Sequence, residues 1–185
     1  MRHSSTTNKK KWLEDFYYDK LNGSTNPIWL SEIKDLSTLE DNRIYLIVEK
    51  TIIKDARSKY AIIKVPDKTF GRFIKIPASD GYDNIMYLDD VIRFCLPFIF
   101  IGLRPSYYRA YSFKFTKDAE MEVDNDADYG TMERIAIGVD SRKRGEPIRV
   151  LYDRDMPQSM QKKILERLDI RELDTFAGQW TLSKP

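Results

Sequence analysis

The chain has 185 residues, 42% hydrophobic and 32% charged, which suits one ordinary globular domain with a proper core and leaves little room for two large ones. Lys and Arg number 31 against 29 Asp and Glu, so a net charge of +2 does not announce nucleic-acid binding. A single cysteine excludes a disulfide framework or a cysteine metal cage, no apolar run reaches the length of a membrane span, and the polar start has no signal-peptide core, so the cytoplasm is the expected location.

In chain order, residues 1–11 are polar and read as a disordered lead-in. The stripe Trp12, Leu13, Phe16, Tyr17 and Leu21 predicts a helix over 9–21. The turn signals Asn22-Gly23-Ser24-Thr25-Asn26-Pro27 end it. A short apolar piece at 29–33 follows, then a polar connection. Ile44, Tyr45, Leu46, Ile47 and Val48 form a continuous apolar run, the mark of a strand covered on both faces. Residues 60–65 read as its hairpin partner across a charged loop. A third strand is expected over 70–76, and a loop over 78–83. An apolar helix then begins at 88, with Asp89 or Asp90 as its cap and Pro97 kinking or ending it. The Tyr- and Phe-rich stretch 107–115 predicts a long strand with a bulge. Residues 118–128 are acidic, 131–139 suggest a modest helix, and 141–147 form a basic loop.

The strand 148–152 then turns tightly into a helix. Asp155 is the expected N-cap, Pro157 fits the first turn, and Met160, Ile164, Leu165 and Leu168 recur at helical spacing. A last strand is expected over 172–176. Strands first, then strand and helix in alternation, predict an α+β fold: a mixed β-sheet of about six strands with helices on both faces, in three layers. The expected division is a lead-in over 1–11, one domain over 12–178, and a tail over 179–185.

The sequence holds one histidine, His3, in the lead-in. A Ser–His pair, a His-ligated zinc or a phosphohistidine needs a histidine held rigidly in a site, and a chain terminus is a poor place to hold one. No catalytic or metal residue is therefore expected within the chain. Asp124-Asn125-Asp126-Ala127-Asp128 starts like a calcium loop, but Tyr129 replaces the needed glycine and Ile135 the closing glutamate. Neither a Gly-rich phosphate loop nor a dinucleotide fingerprint is present. The candidate anion contacts are Lys117, Arg142, Lys143, Arg144 and Arg154, the last placed where a strand end feeds a helix N-terminus. Asp153 and Asp155 flank it as a carboxylate pair. For each, a salt bridge, a cap or a solvated loop is the competing structural use. Tyr107, Tyr108, Tyr111, Phe113 and Phe115 read as core or sheet-face packing, and Cys95 as a buried small hydrophobe.

Five blocks in order resemble one family. They are Tyr60-Ala-Ile-Ile-Lys-Val-Pro66, Arg72-Phe-Ile-Lys-Ile-Pro77, Leu88-Asp-Asp-Val-Ile-Arg93, Tyr111-Ser-Phe-Lys-Phe-Thr-Lys-Asp-Ala-Glu120 and Arg149-Val-Leu-Tyr-Asp-Arg-Asp-Met-Pro157. Together they resemble the middle, or head, domain of bacterial polyphosphate kinase from about residue 12 to 176. Two departures stand out: Lys117 where arginine is usual, which argues against bidentate anion binding there, and Pro97 within the helix.

The resemblance implies a much larger parent enzyme that moves the terminal phosphate of ATP reversibly onto polyphosphate, through a phosphohistidine and with magnesium. It places the catalytic histidines and phosphate-binding arginines in domains outside this chain. The chain then reads as an isolated head domain, inactive alone, whose partners are the other domains of the same kinase, a second copy in a dimer or higher oligomer, and polyphosphate. Its role would be dimer assembly and shaping of the tunnel beside the active site. The resemblance leaves membrane association of the parent open, and it implies no nucleic-acid partner. The alternative is an autonomous phosphate- or polyanion-binding module without catalysis.

Overall fold

A computed structural model of the chain describes residues 3–34, 39–54, 56–77, 84–101, 106–117, 147–168 and 175–178. Helix α1 (His3–Phe16) runs into a π-helical turn (Tyr17–Leu21), followed by strands β1 (Ile28–Trp29), β2 (Arg43–Ile52) and β3 (Ser58–Lys64). A helical turn, α2 (Asp67–Phe70), leads to β4 (Phe73–Ile76), β5 (Asn84–Tyr87), helix α3 (Leu88–Ile99) and the long strand β6 (Ser106–Lys117). Strand β7 (Pro147–Asp153), helix α4 (Gln158–Leu168) and β8 (Thr175–Gly178) complete the described elements.

Six strands join in the order β1-β3-β2-β6-β7-β8, while β4 and β5 form a separate two-stranded ribbon. The β1–β3, β2–β3 and β6–β7 pairs are antiparallel and β7–β8 is parallel, so the sheet is mixed and the fold α+β, as expected. Two compact units can be described, one of Met1–Leu30 with Ile44–Ser112, the other of Ser31–Arg43 with Phe113–Pro185.

In the first unit, β2 is buried from Ile44 through Val48, as its unbroken apolar run requires. It pairs with β3 from Tyr45 opposite Lys64 to Thr51 opposite Ser58. Helix α1 packs against α3, and the Cys95 thiol approaches the Leu13 carbonyl at 4.0 Å. Leu13, Tyr17 and Leu21 from the first helix, and Leu88, Val91, Ile92, Cys95 and Leu96 from α3, are buried on the facing stripes.

Several boundaries differ from the sequence expectations. Helix α1 starts at His3, inside the expected lead-in and six residues before the expected 9, because polar residues 3–8 carry no apolar period that could signal it. Its last turn widens to π geometry: the Asn22 N–H reaches the Tyr17 carbonyl at 2.7 Å, and Gly23 follows with φ 89°. The third strand begins at Phe73 and not at 70, since Asp67–Phe70 turn once between Pro66 and Gly71, whose φ of 76° suits glycine. Strand β5 was not expected, because four residues become a strand only by pairing with β4. Pro97 lies inside α3, close enough to its end that the helix closes at Ile99.

In the second unit, β7, α4 and β8 form a strand–helix–strand unit, the crossover that parallel neighbours need. Met156, Met160, Ile164 and Leu168 are buried, as is Phe113. Strand β6 outruns the expected 107–115, and its register shifts between Thr116 and Lys117, the irregularity foreseen. Strand β8 lies at Thr175–Gly178, three residues later than expected. The helix expected over 131–139 falls outside the described residues.

Candidate functional site

The strand-to-helix turn after β7 is the site that the sequence singled out. Asp153, only 7% exposed, makes this turn. Its Oδ1 accepts the Asp155 N–H at 3.2 Å, and its carbonyl accepts the Met156 N–H at 2.9 Å. The Arg154 N–H donates to the Gly178 carbonyl at 2.9 Å, tying the turn to β8. Asp155 is not the helix cap. Helix α4 starts three residues later, at Gln158, and the Gln161 side chain donates back to the Met156 carbonyl at 2.8 Å. Asp153 and Asp155 thus shape a turn, one carboxylate engaged with backbone and the other exposed.

Among the candidate anion contacts, Arg154 presents an exposed side chain at this turn, and Lys117 is the last residue of β6, opposite Pro147. Arg142, Lys143 and Arg144 lie outside the described residues. A small apolar recess of about 10 Å³ lies nearby, lined by Phe113, Val150, Tyr152, Met156, Ile164 and Leu165 among others.

Two ion-pair networks in the first unit were not foreseen. Asp89 and Asp90 do not cap α3: the residue before the helix is Tyr87, and no side chain caps it. They bind Arg93 one turn on instead, where i,i+3 and i,i+4 pairs face each other. Arg93 Nη1 donates to Asp89 Oδ2 at 3.1 Å and to Asp90 Oδ1 at 2.6 Å. Its Nε reaches the Ala110 carbonyl at 3.1 Å and its Nη2 the Ser112 Oγ at 2.7 Å, both on β6. Ser112 in turn donates to Asp89 Oδ2 at 3.0 Å. One guanidinium therefore bolts α3 to β6, with Asp89 and Ser112 fully buried beneath it.

Glu49 is the second centre. The β2–β3 register sets it opposite Tyr60, whose hydroxyl donates to Oε1 at 2.9 Å. Arg109 forks onto Oε2, with its Nε at 2.8 Å. Burial works to raise the Glu49 carboxyl, but the hydrogen bonds from Tyr60, Arg109 and Ser58 and the Arg109 charge together outweigh it and hold its pKa below the usual 4.5. The spacing of these partners along the chain gives no local signal, since strand pairing alone brings residues 49, 60 and 109 together.

Burial pushes the Cys95 thiol up to about 12, so at neutral pH it is a protonated core group and a poor nucleophile. Among the described residues no cluster of three metal-ligating side chains exists, and no helix is long and apolar enough to cross a membrane. Carboxylates and guanidinium groups here hold turns, a helix and strands in place.

The molecule is thus an α+β domain whose described ionic groups lock its own elements together. A family model for the polyphosphate kinase middle domain matches residues 8–183, and the chain belongs to that family. It is 31% identical over 178 residues to a polyphosphate kinase of Vibrio parahaemolyticus, covering 94% of this chain and 25% of that protein. It is likewise 31% identical over 175 residues to a polyphosphate kinase of Escherichia coli, covering 92% and 25%. The crystal structure of polyphosphate kinase from Porphyromonas gingivalis has the same fold, with a TM-score of 0.70 at 22% identity over 95% of this chain and 24% of that one. The chain spans about a quarter of the length of the curated relatives it matches.

Proposed function

We propose that this chain serves a polyphosphate kinase as its head domain, supporting dimer assembly and the walls of the synthesis tunnel, while phosphoryl transfer takes place on other domains of the enzyme. The observation that carries this reading is the family match over 8–183, set against relatives about four times as long. The histidine inventory agrees with it. A phosphohistidine route needs a histidine rigidly placed, and the one histidine here is the first residue of α1. ATP, magnesium and the phosphohistidine would belong to the rest of the enzyme, working in the cytoplasm.

The direct test is polyphosphate synthesis from ATP and magnesium by the purified chain. None is expected, and sustained chain growth above a boiled control would overturn the reading. Solution mass by light scattering over a concentration series tests the assembly role. A dimer is expected, and a monomer at every concentration would move dimerisation to other domains.

A further inference from the structure

The β4–β5 ribbon forms no part of the six-stranded sheet, and its two faces are both apolar. The Leu88 N–H donates to the Arg72 carbonyl at 2.9 Å, and the rungs alternate from there. Phe73 opposite Tyr87 and Lys75 opposite Ile85 are therefore the rungs without hydrogen bonds, where facing side chains lie closest. Successive side chains along a strand point to opposite faces, so Ile74, Ile76 and Met86 share the inner one. Ile74 and Ile76 are buried there, and α3 packs against both strands. Phe73, Lys75, Ile85 and Tyr87 share the outer face.

An antiparallel ribbon with one face on the core commonly turns polar residues to water on the other. Here Lys75 is the one charged side chain among the four. Phe73 and Ile85 are 59% and 64% exposed and are diagonal neighbours across the ribbon, near enough to make one patch. The patch is ordered in advance: the Phe73 and Tyr87 rings lie 5.0 Å apart, and the Arg72 guanidinium covers the Tyr87 ring at 5.5 Å. Aromatic anchors already held in place lose little freedom when a partner docks on them. Size decides between partners. Each strand has four residues, about 13 Å at the rise of a strand, and the two lie about 5 Å apart. The outer face is thus on the order of 200 Å², against about 800 Å² per partner in a standard stable interface. Two separate copies meeting on this face alone would be held weakly. A domain of the same polypeptide needs far less surface, since its tether raises the effective concentration to about the mM range. The matching family model is that of a middle domain, and the curated relatives are about four times as long, so such domains are the neighbours at hand.

We propose that the outer face of the β4–β5 ribbon, through Phe73, Ile85 and Tyr87, is the seat of another domain of the same polyphosphate kinase polypeptide, which docks on it with an apolar face of its own. It rests on the head-domain reading in that the chain is one part of a longer kinase. The covered ribbon would then be a strand pair buried on both sides, which its residues already describe.

The test is maleimide labelling of Ile85→Cys at neutral pH, in the 185-residue chain and in a full-length kinase that carries it as the middle domain, read at residue 85 by peptide mass spectrometry. Cys95 is buried with its thiol pushed up to about 12, and serves as a silent internal reference. The separate chain should label fast at every protein concentration, and the full-length enzyme about tenfold or more slower. Equal rates in the two proteins would overturn the seat. Protection that grows with concentration in the separate chain, or that vanishes as the full-length assembly is diluted apart, would give the face to a second copy and overturn it as well. Phe73→Lys is the second variant. It should leave the urea midpoint of the separate chain nearly unchanged and, in the full-length enzyme, return labelling at residue 85 toward the rate of the separate chain; persistent protection would mean that the cover does not sit on this face. Equal labelling rates with assembly and synthesis intact would remove the ribbon seat alone, whereas an enzyme that assembles and synthesises normally without this domain would remove the head-domain reading.

Discussion

Arg93 shows how much one side chain can decide. Its guanidinium donates to two carboxylates, a backbone carbonyl and a hydroxyl, and its partner Asp89 is only 1% exposed. Replacing Arg93 with methionine keeps much of the stem and strands the Asp89 charge in the core. The expected loss is about 2 to 4 kcal/mol, read as a lower urea midpoint at an unchanged slope. Asp90→Ala, which removes the more exposed carboxylate, should cost under about 1 kcal/mol in the same experiment. Glu49 makes a pH prediction. Its carboxyl titrates below 4.5 when folded, so its contribution is present above the unfolded value and is lost as the pH falls through the folded one. Acid unfolding of wild type should therefore include a component below about pH 4.5 that is absent in Glu49→Gln, as followed by tryptophan fluorescence. An unchanged acid limb in that variant would count against the network.

At the scale of elements, α4 is a strip of apolar residues laid on its own strand. Met160, Ile164 and Leu168 are buried to 3% exposure or less, while Lys162 and Glu166 form a loose pair at 3.8 Å on the solvent side. Ile164→Ala should cost about 2 to 5 kcal/mol, because the recess beside Phe113 is already present and the site has little left to collapse into. Lys162→Ala should change thermal stability by less than about 0.5 kcal/mol. A small effect of Ile164→Ala would mean that α4 is held by its turn, through Arg154 and Gly178, more than by its packing. The same scale explains the boundary differences. Strand β5 and the helical turn at Asp67–Phe70 are four residues each, too short for any period to show, and they exist through pairing with β4 and through Pro66 and Gly71.

For the whole molecule, the chain is a domain of a family whose curated members are about four times its length. Surface that looks idle here can belong to contacts with the remainder. Phe73 and Ile85 on the outer side of the β4–β5 ribbon are 59% and 64% exposed, an unusual cost for a chain that works alone. The head-domain reading therefore predicts that the purified chain turns over no ATP to polyphosphate, while a full-length relative loses assembly when this domain is removed. Gel filtration with light scattering checks assembly, and a phosphate-chain gel assay checks synthesis. Normal synthesis by the shortened enzyme would contradict the role assigned to the domain.

Much of this was legible in the residues. The unbroken apolar run of Ile44 to Val48 could only be a covered strand, the stripe from Trp12 to Leu21 could only be one helix face, and the ordered blocks from Tyr60 to Pro157 carried the family. Hydrophobic period is a local property, and family blocks are local strings, so both survive without coordinates. The partners of charged side chains do not. Asp89 looked like a cap and is the floor of an Arg93–Ser112 lock. Glu49 meets Tyr60 because β2 and β3 pair in one register, and Arg109 because β6 is the neighbour of β2 on its other side. Lys50 and Lys59 oppose each other for the same reason. Strand pairing and register are decided by packing between distant segments, and so the ionic networks came only from the tertiary structure.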